Sequence, residues 1–131
     1  MKKIGILNKE ISDVIAGLGH TDQIIICDAG FPIPQEVRRI DLALEKGLPS
    51  FLDTLRVISK ELCVEKIVVE KETKDISPKR YEEIMQFLPN VKVEVISHVE
   101  FKERSKNVKA IIRTGEFTPY SNLILIAGVI Y

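Results

Sequence analysis

The stretch His20–Gly30, HTDQIIICDAG, places three isoleucines and a cysteine in an unbroken run between Gln23 and Asp28. A short β-branched run without polar alternation is the pattern of a strand covered on both faces, as in the middle of a parallel sheet. Polar groups stand at both ends of it, His20 before the run and Asp28 after it. Ligands of open parallel sheets bind outside the carboxyl ends of the strands, so Asp28 falls on the ligand side. His20 then lies at the opposite end of the same strand, about 16 Å away at ~3.3 Å per residue. It reaches the same site only by folding back at the helix exit, or if a second subunit completes that site.

Working outward from this strand, helical and strand periods alternate. Asn8 is a helix N-cap, Ile11, Val14, Ile15 and Leu18 recur at helical spacing, and Gly19 is placed to close the helix in a left-handed conformation. FPIP (Phe31–Pro34) is an extended, donor-poor loop, and RRIDLALE (38–45) reads as a strand. A helix starts around Pro49 and Ser50 with Phe51, Leu52, Leu55, Ile58 and Leu62 on one face, and KIVVE (66–70) is the next strand. Ser77 and Pro78 form an N-cap and first-turn pair for a helix through Tyr81, Ile84, Met85 and Leu88. VKVEVI (91–96) alternates as a strand with one polar face. Ser97 and Glu100 make a capping box that sets His98 in a first turn and Lys102 one turn later. KAIIRTG and NLILIAGVIY complete the strands. This alternation predicts one α/β domain over residues 1–131, a three-layer α/β/α sandwich with a largely parallel central sheet.

Composition narrows the function. Nineteen Lys and Arg balance nineteen Asp and Glu, so no global field draws nucleic acid or an anionic membrane. No 18-residue apolar stretch or signal-peptide pattern occurs, and the expected location is the cytoplasm. Cys27 and Cys63 lack CxxC spacing and sit in or beside apolar runs, where reduced thiols are expected. The many aliphatic residues and the apolar closing strand point to a homo-oligomer, with a well-covered monomer as the alternative.

No metal-ligand spacing surrounds His20 or His98, no G-x-G-x-x-G or GxxxxGK[ST] loop follows a strand, and no GxSxG elbow is present. Asp28, His98 and the loop TGEFTPYSN (114–122) all follow strands and are placed to meet in one pocket. Singly, each has an ordinary structural reading: His20 as a partner of helix-end carbonyls, His98 as a surface residue, Asp28 as a loop acid, Tyr120, Ser121 and Asn122 as turn residues, Lys102 as a solvated charge. As a set they are groups that hydrogen-bond sugar hydroxyls, and imidazole both gives and takes protons near neutral pH. The chemistry they fit is cofactor-free proton transfer on a small polar ligand. A non-catalytic sugar-binding module uses the same groups. A phosphoacceptor receiver domain lacks the acidic cluster it would need around Asp28.

Across its whole length the chain resembles the family of ribose pyranases and fucose mutarotases, in KKIGILNKEI, GLGHTD, CDAGFPIP, RIDLAL, SFLDTLRV, SHVEFK and AIIRTGEFTPYSNLIL followed by AGVIY. Phe31 stands where the family more often has leucine and Tyr131 where it more often has phenylalanine. Residues 71–90 match least, as for a helix and loop that carry no chemistry. The resemblance implies an isomerase that interconverts the pyranose and furanose rings of D-ribose and exchanges anomers, without cofactor or metal. A fucose-type mutarotase is the close alternative. It implies His20 as the proton donor, and Asp28, His98, Lys102 and Tyr120–Asn122 as sugar-binding positions. It also implies a decamer of two pentameric rings, with sites between subunits.

Overall fold

Four of the five α-helices of the computed structural model, which describes residues 1–131, begin where the chain offers a cap or a proline. Asn8 accepts the Ile11 N–H at 3.0 Å to open α1 (Lys9–Gly17). Ser50 accepts the Asp53 N–H at 3.0 Å ahead of α2 (Phe51–Ile58), and Ser97 accepts the Glu100 N–H at 3.1 Å ahead of α5 (His98–Arg104). α4 (Pro78–Phe87) carries its proline in the first turn. A short α3 (Lys71–Ile76) precedes α4 directly, inside the stretch that matched the family pattern least.

Six strands form one sheet: β1 (Gln23–Cys27), β2 (Arg39–Asp41), β3 (Val64–Glu70), β4 (Lys92–Ile96), β5 (Ala110–Arg113) and β6 (Leu123–Ala127), in the order β2-β5-β1-β6-β3-β4. β2, β5 and β1 pair in parallel, as do β3 and β4, while β6 is antiparallel to both β1 and β3. The sheet is therefore largely parallel, as expected, with one reversed strand near its middle.

The run that predicted a doubly covered strand is one. Ile24 and Ile26 enter a core with Ile11 and Val14 of α1, Phe51, Leu55 and Ile58 of α2, and Ile84 of α4. Ile25 and Cys27 point to the other face, against Phe101 of α5, Phe31 and Val37. These four β1 side chains are fully buried, and only the leading Gln23 is not. The three layers are unequal, because three helices cover the first face while α5 and the loop through Phe31 and Val37 cover the second.

Among the strands and the exit from α1, local expectations failed in three places. Gly19 does not close α1 in a left-handed conformation. The helix ends one residue earlier, with Leu18 as its C-cap in extended backbone, and the positive φ falls on Thr21 at 68°. Asp22 explains the difference, since its carboxylate takes the Gly19 N–H at 2.8 Å and ties the exit into a tight loop. The strand predicted over 38–45 pairs only across Arg39–Asp41, because the chain beyond it turns to lie against Gly115. Edge strand β4 alternates, but Val93 and Val95 stay about two-fifths exposed.

Leu125 is fully buried on β6 between Ile24 and Ile67. Leu125→Ala leaves a cavity that the paired strands cannot close, so a loss of about 2–5 kcal/mol is expected from chemical denaturation midpoints.

Candidate functional site

Because β6 runs backwards, its first residues lie at the carboxyl ends of β1 and β3, with Leu123 opposite both Ile26 and Val69. The 114–122 loop is thereby delivered to the edge where Asp28 and Glu70 end their strands and α5 begins. Asp28, Phe31, His98, Lys102, Pro119, Tyr120 and Asn122 line an open cavity of about 430 Å³ there.

The loop is held from below. Gly115 sits so close to the 45–48 turn that a Cβ would fall 2.4 Å from the Glu45 carbonyl oxygen, and only glycine fits. Tyr120 adopts a left-handed φ of 57°, a conformation that disfavours residues carrying a Cβ. Thr73 Oγ1 donates to the Tyr120 carbonyl at 2.7 Å and Ser77 Oγ to the Pro119 carbonyl at 2.8 Å, fixing the turn. This is why Ser77, although it stands at the N-cap position of α4, makes no capping bond: its hydroxyl is spent on the loop. The 71–90 stretch was expected to carry no chemistry. It contributes no residue to the cavity lining, but it braces the loop that does.

Behind the cavity runs a buried polar chain. The Asp28 N–H donates to Asn122 Oδ1 at 3.0 Å, and Asn122 Nδ2 donates to Glu70 Oε1 and Oε2 at 3.2 and 3.4 Å. Glu70 Oε1 lies 2.8 Å from His98 Nδ1, and Glu72 Oε2 accepts the His98 N–H at 2.9 Å. The Glu70 side chain is 0% exposed and that of His98 24%, so the imidazole alone reaches the cavity. Its ring meets Tyr120 edge to face at 5.3 Å between centroids. Burial pushes the Glu70 carboxyl above its usual range, against the pull of His98 and Asn122. Burial also raises Asp28, opposed by N–H donors from Gly30 and Ser121. The Cys27 thiol is pushed far up by burial and is no nucleophile.

The structure thus gathers Asp28, His98, Lys102, Tyr120 and Asn122, as the sequence predicted, and separates two others. Ser121 is fully buried and its Oγ has no hydrogen-bond partner, so it presents main chain to Asp28 and no side chain to the cavity. His20 sits at the far end of β1, beside the last β6 residues, where the Thr21 N–H meets the Ala127 carbonyl at 2.9 Å. Its side chain is 53% exposed, and Nε2 lies 2.9 Å from Glu65 Oε2. Within one chain His20 and the cavity do not meet.

Glu70 was missed, although the strand-end rule that picked out Asp28 applies equally to the last residue of KIVVE. Arg80 and Glu116 were missed for lack of any local signal. Their contact joins α4 to the loop at 3.0 Å, and Glu116 also accepts from the Phe51 N–H and from Thr118. No three His, Cys, Asp or Glu side chains converge as metal ligands. A separate apolar hollow of about 270 Å³ beside α1 and α2 shares no residue with the His98 cavity.

The sequence pattern of the RbsD / FucU transport protein family matches residues 1–130. The chain is 53% identical to the D-ribose pyranase of Clostridium tetani and 50% identical to that of Coprothermobacter proteolyticus, in each case over the full length of both proteins. It is similar to RbsD of Bacillus subtilis, solved in complex with D-ribose, with a TM-score of 0.97 and 47% identity over the whole of both chains. FucU of Bifidobacterium longum shares the fold, with a TM-score of 0.77 at 21% identity over 95% of this chain and 96% of that one.

The Arg80–Glu116 pair yields a test of the loop's support. Although burial opposes it, donors from Thr118 and the Arg80 charge hold Glu116 below its ordinary value of 4.5. The stability it lends is therefore complete above pH 4.5 and lost as pH falls through the lowered value. Arg80→Met strands the carboxylate, and a loss of about 3–5 kcal/mol is expected at neutral pH. That deficit should shrink in acid, as read by denaturation at both pH values.

Proposed function

We propose that this chain, which belongs to the RbsD / FucU family, is a D-ribose pyranase that interconverts the pyranose and furanose forms of D-ribose, and their anomers, by acid–base ring opening and closure. The observation that carries this reading is the full-length agreement with the ribose-bound relative, together with a cavity walled by a carboxylate, an imidazole, a lysine, a phenol and an amide. Such groups match the alternating donors and acceptors of a sugar.

Opening a pyranose requires a proton on the ring oxygen while one leaves the anomeric hydroxyl. The ring C–O bond then breaks and the anomeric carbon becomes an aldehyde. Rotation presents a different hydroxyl, which attacks that carbon as the two proton transfers run in reverse. His20 is the donor to the ring oxygen. Asp28, or a water it orients, takes the anomeric proton, and its burial-raised carboxyl makes it a better base than an exposed aspartate. Lys102, His98, Tyr120 and Asn122 hold the remaining hydroxyls, with Ser121 acting through its main chain.

His20 enters the site from a neighbouring subunit. Its exposure leaves it free to be covered by another chain, and Ile4, Leu7, Leu44, Val57, Phe117 and Ile130 are large apolar residues also left exposed on the single chain. The assembly is a decamer of two pentameric rings. It works in the cytoplasm, where the unpaired Cys27 and Cys63 stay reduced and the enzyme feeds ribose catabolism. The reaction calls for no metal, nucleotide or covalent intermediate.

Saturation-transfer NMR should show faster pyranose–furanose exchange of D-ribose with the protein present, and a drop of about 10²–10⁴-fold in His20→Ala. Acceleration of L-fucose exchange alone would reassign the substrate. Co-assembling His20→Ala with Asp28→Asn chains should restore about a quarter of the sites if each is shared between subunits, and none if it is not.

A further inference from the structure

The buried chain behind the cavity has a direction, set by a group that cannot reverse. A backbone N–H only donates, so the Asp28 N–H at 3.0 Å requires the Asn122 oxygen to face it. The Asn122 NH₂ must then face Glu70, and it meets both carboxylate oxygens. An ionised carboxylate only accepts, and both Glu70 oxygens take a contact from the Asn122 NH₂. The third contact to Glu70, from His98 Nδ1 at 2.8 Å, is consequently a donation by the ring. In a neutral imidazole whose proton is on Nδ1, the other nitrogen carries a lone pair. His98 Nε2 has no hydrogen-bond partner in the protein, and the exposed part of the ring lines the cavity.

We propose that Glu70 is a positioning residue that holds the His98 ring with its proton on Nδ1, so that Nε2 meets the ligand as a hydrogen-bond acceptor for one sugar hydroxyl. The inference rests on the sugar-isomerase reading of the cavity and deepens it. The two imidazoles then do opposite things: His20 gives a proton, and His98 accepts a hydrogen bond while keeping its own proton turned inward. Charged neighbours from every side agree with this arrangement. Glu70 of β3 lies beneath the ring and Glu72 of α3 is on its main-chain N–H. Asp28, just past the end of β1, also lines the cavity, and Lys102, one turn along α5, is the one cation of the lining. With one carboxylate, Asp28, and one ammonium, Lys102, already lining the cavity, an acceptor nitrogen adds a function neither duplicates: a neutral site for a hydroxyl proton.

Glu70→Gln keeps the shape but sets an NH₂ group against two donors. The amide is expected to donate to His98 Nδ1 and drive the ring proton to Nε2, which then faces the sugar as a donor.

The test is long-range ¹H–¹⁵N correlation NMR of the imidazoles, with ribose affinity by titration. In the wild-type protein the neutral His98 ring should show a protonated Nδ1 and a bare Nε2. In Glu70→Gln the proton should move to Nε2. The Kd for D-ribose should rise about tenfold, the loss expected when one charge-assisted network is mismatched, while kcat for exchange changes less than about threefold. Glu70→Asp keeps both acceptor oxygens and should keep the Nδ1 proton. A wild-type ring protonated on Nε2 overturns the proposal, and this spectrum decides it even if Glu70→Gln does not fold. An unchanged Kd in folded Glu70→Gln overturns it as well. A wild-type protein with the Nδ1 proton but no ribose exchange upholds the Glu70 assignment and removes the isomerase reading instead.

Discussion

Strand β6 lies between β1 and β3 and runs against both, with Ile24 and Ile67 flanking Leu125 across the ladders. A parallel strand in that slot would begin at the amino ends of its neighbours, and the loop before it would sit on the wrong side of the sheet. The reversal brings residues 114–122 to the carboxyl ends, where parallel strands leave their ligand-binding crevice. It also carries the last residues of the chain to the opposite edge, beside His20 and Glu65, where the Gly128 N–H meets the Cys63 carbonyl at 2.8 Å. One strand direction therefore decides both which groups share a cavity and which are held apart.

What the reversed strand delivers is then made rigid. Asn122 touches Asp28 and Glu70 at once, so a single amide links the ends of β1 and β3 across β6. Buried polar groups of this kind are costly unless every donor and acceptor is matched. Here each bond on Glu70 is matched by a donor, which permits a carboxylate with no solvent exposure to sit under the cavity floor. The helices that pack around it serve the same end, since α3 and α4 hold the Tyr120 turn by its carbonyls and Arg80 holds Glu116. A pocket set in advance loses little freedom when a small flexible ligand binds, which is the condition for guiding an opening ring without trapping it.

The alternating helix and strand periods, the caps at Asn8 and Ser97, the helix start around Ser50, and the doubly buried QIIIC strand were all legible in the chain, because each depends on residues within one turn or one strand. So was the gathering of Asp28, His98, Tyr120 and Asn122, because the rule that ligands collect beyond strand ends needs only the order of elements, while Lys102 joined them only through the family resemblance. Readings failed where another partner claimed the residue, whether three positions away or more than forty. Gly19 looked like a helix terminator until Asp22 took its N–H, and Ser77 looked like a cap until Pro119 took its hydroxyl. Glu70 read as the polar end of a strand, because its partners lie 28 and 52 positions along the chain.

By itself, then, the amino-acid order determined the layers, the doubly covered central strand and the identity of the polar groups at the ligand edge, since backbone periodicity and capping are local physics. Only the tertiary structure decided that β6 runs backwards, that Ser121 turns inward, that His20 does not fold back to its own cavity, and that a buried carboxylate sits behind His98. Those outcomes depend on which side chains meet across the sheet, and no spacing along a chain encodes that contact until the packing brings the strands together.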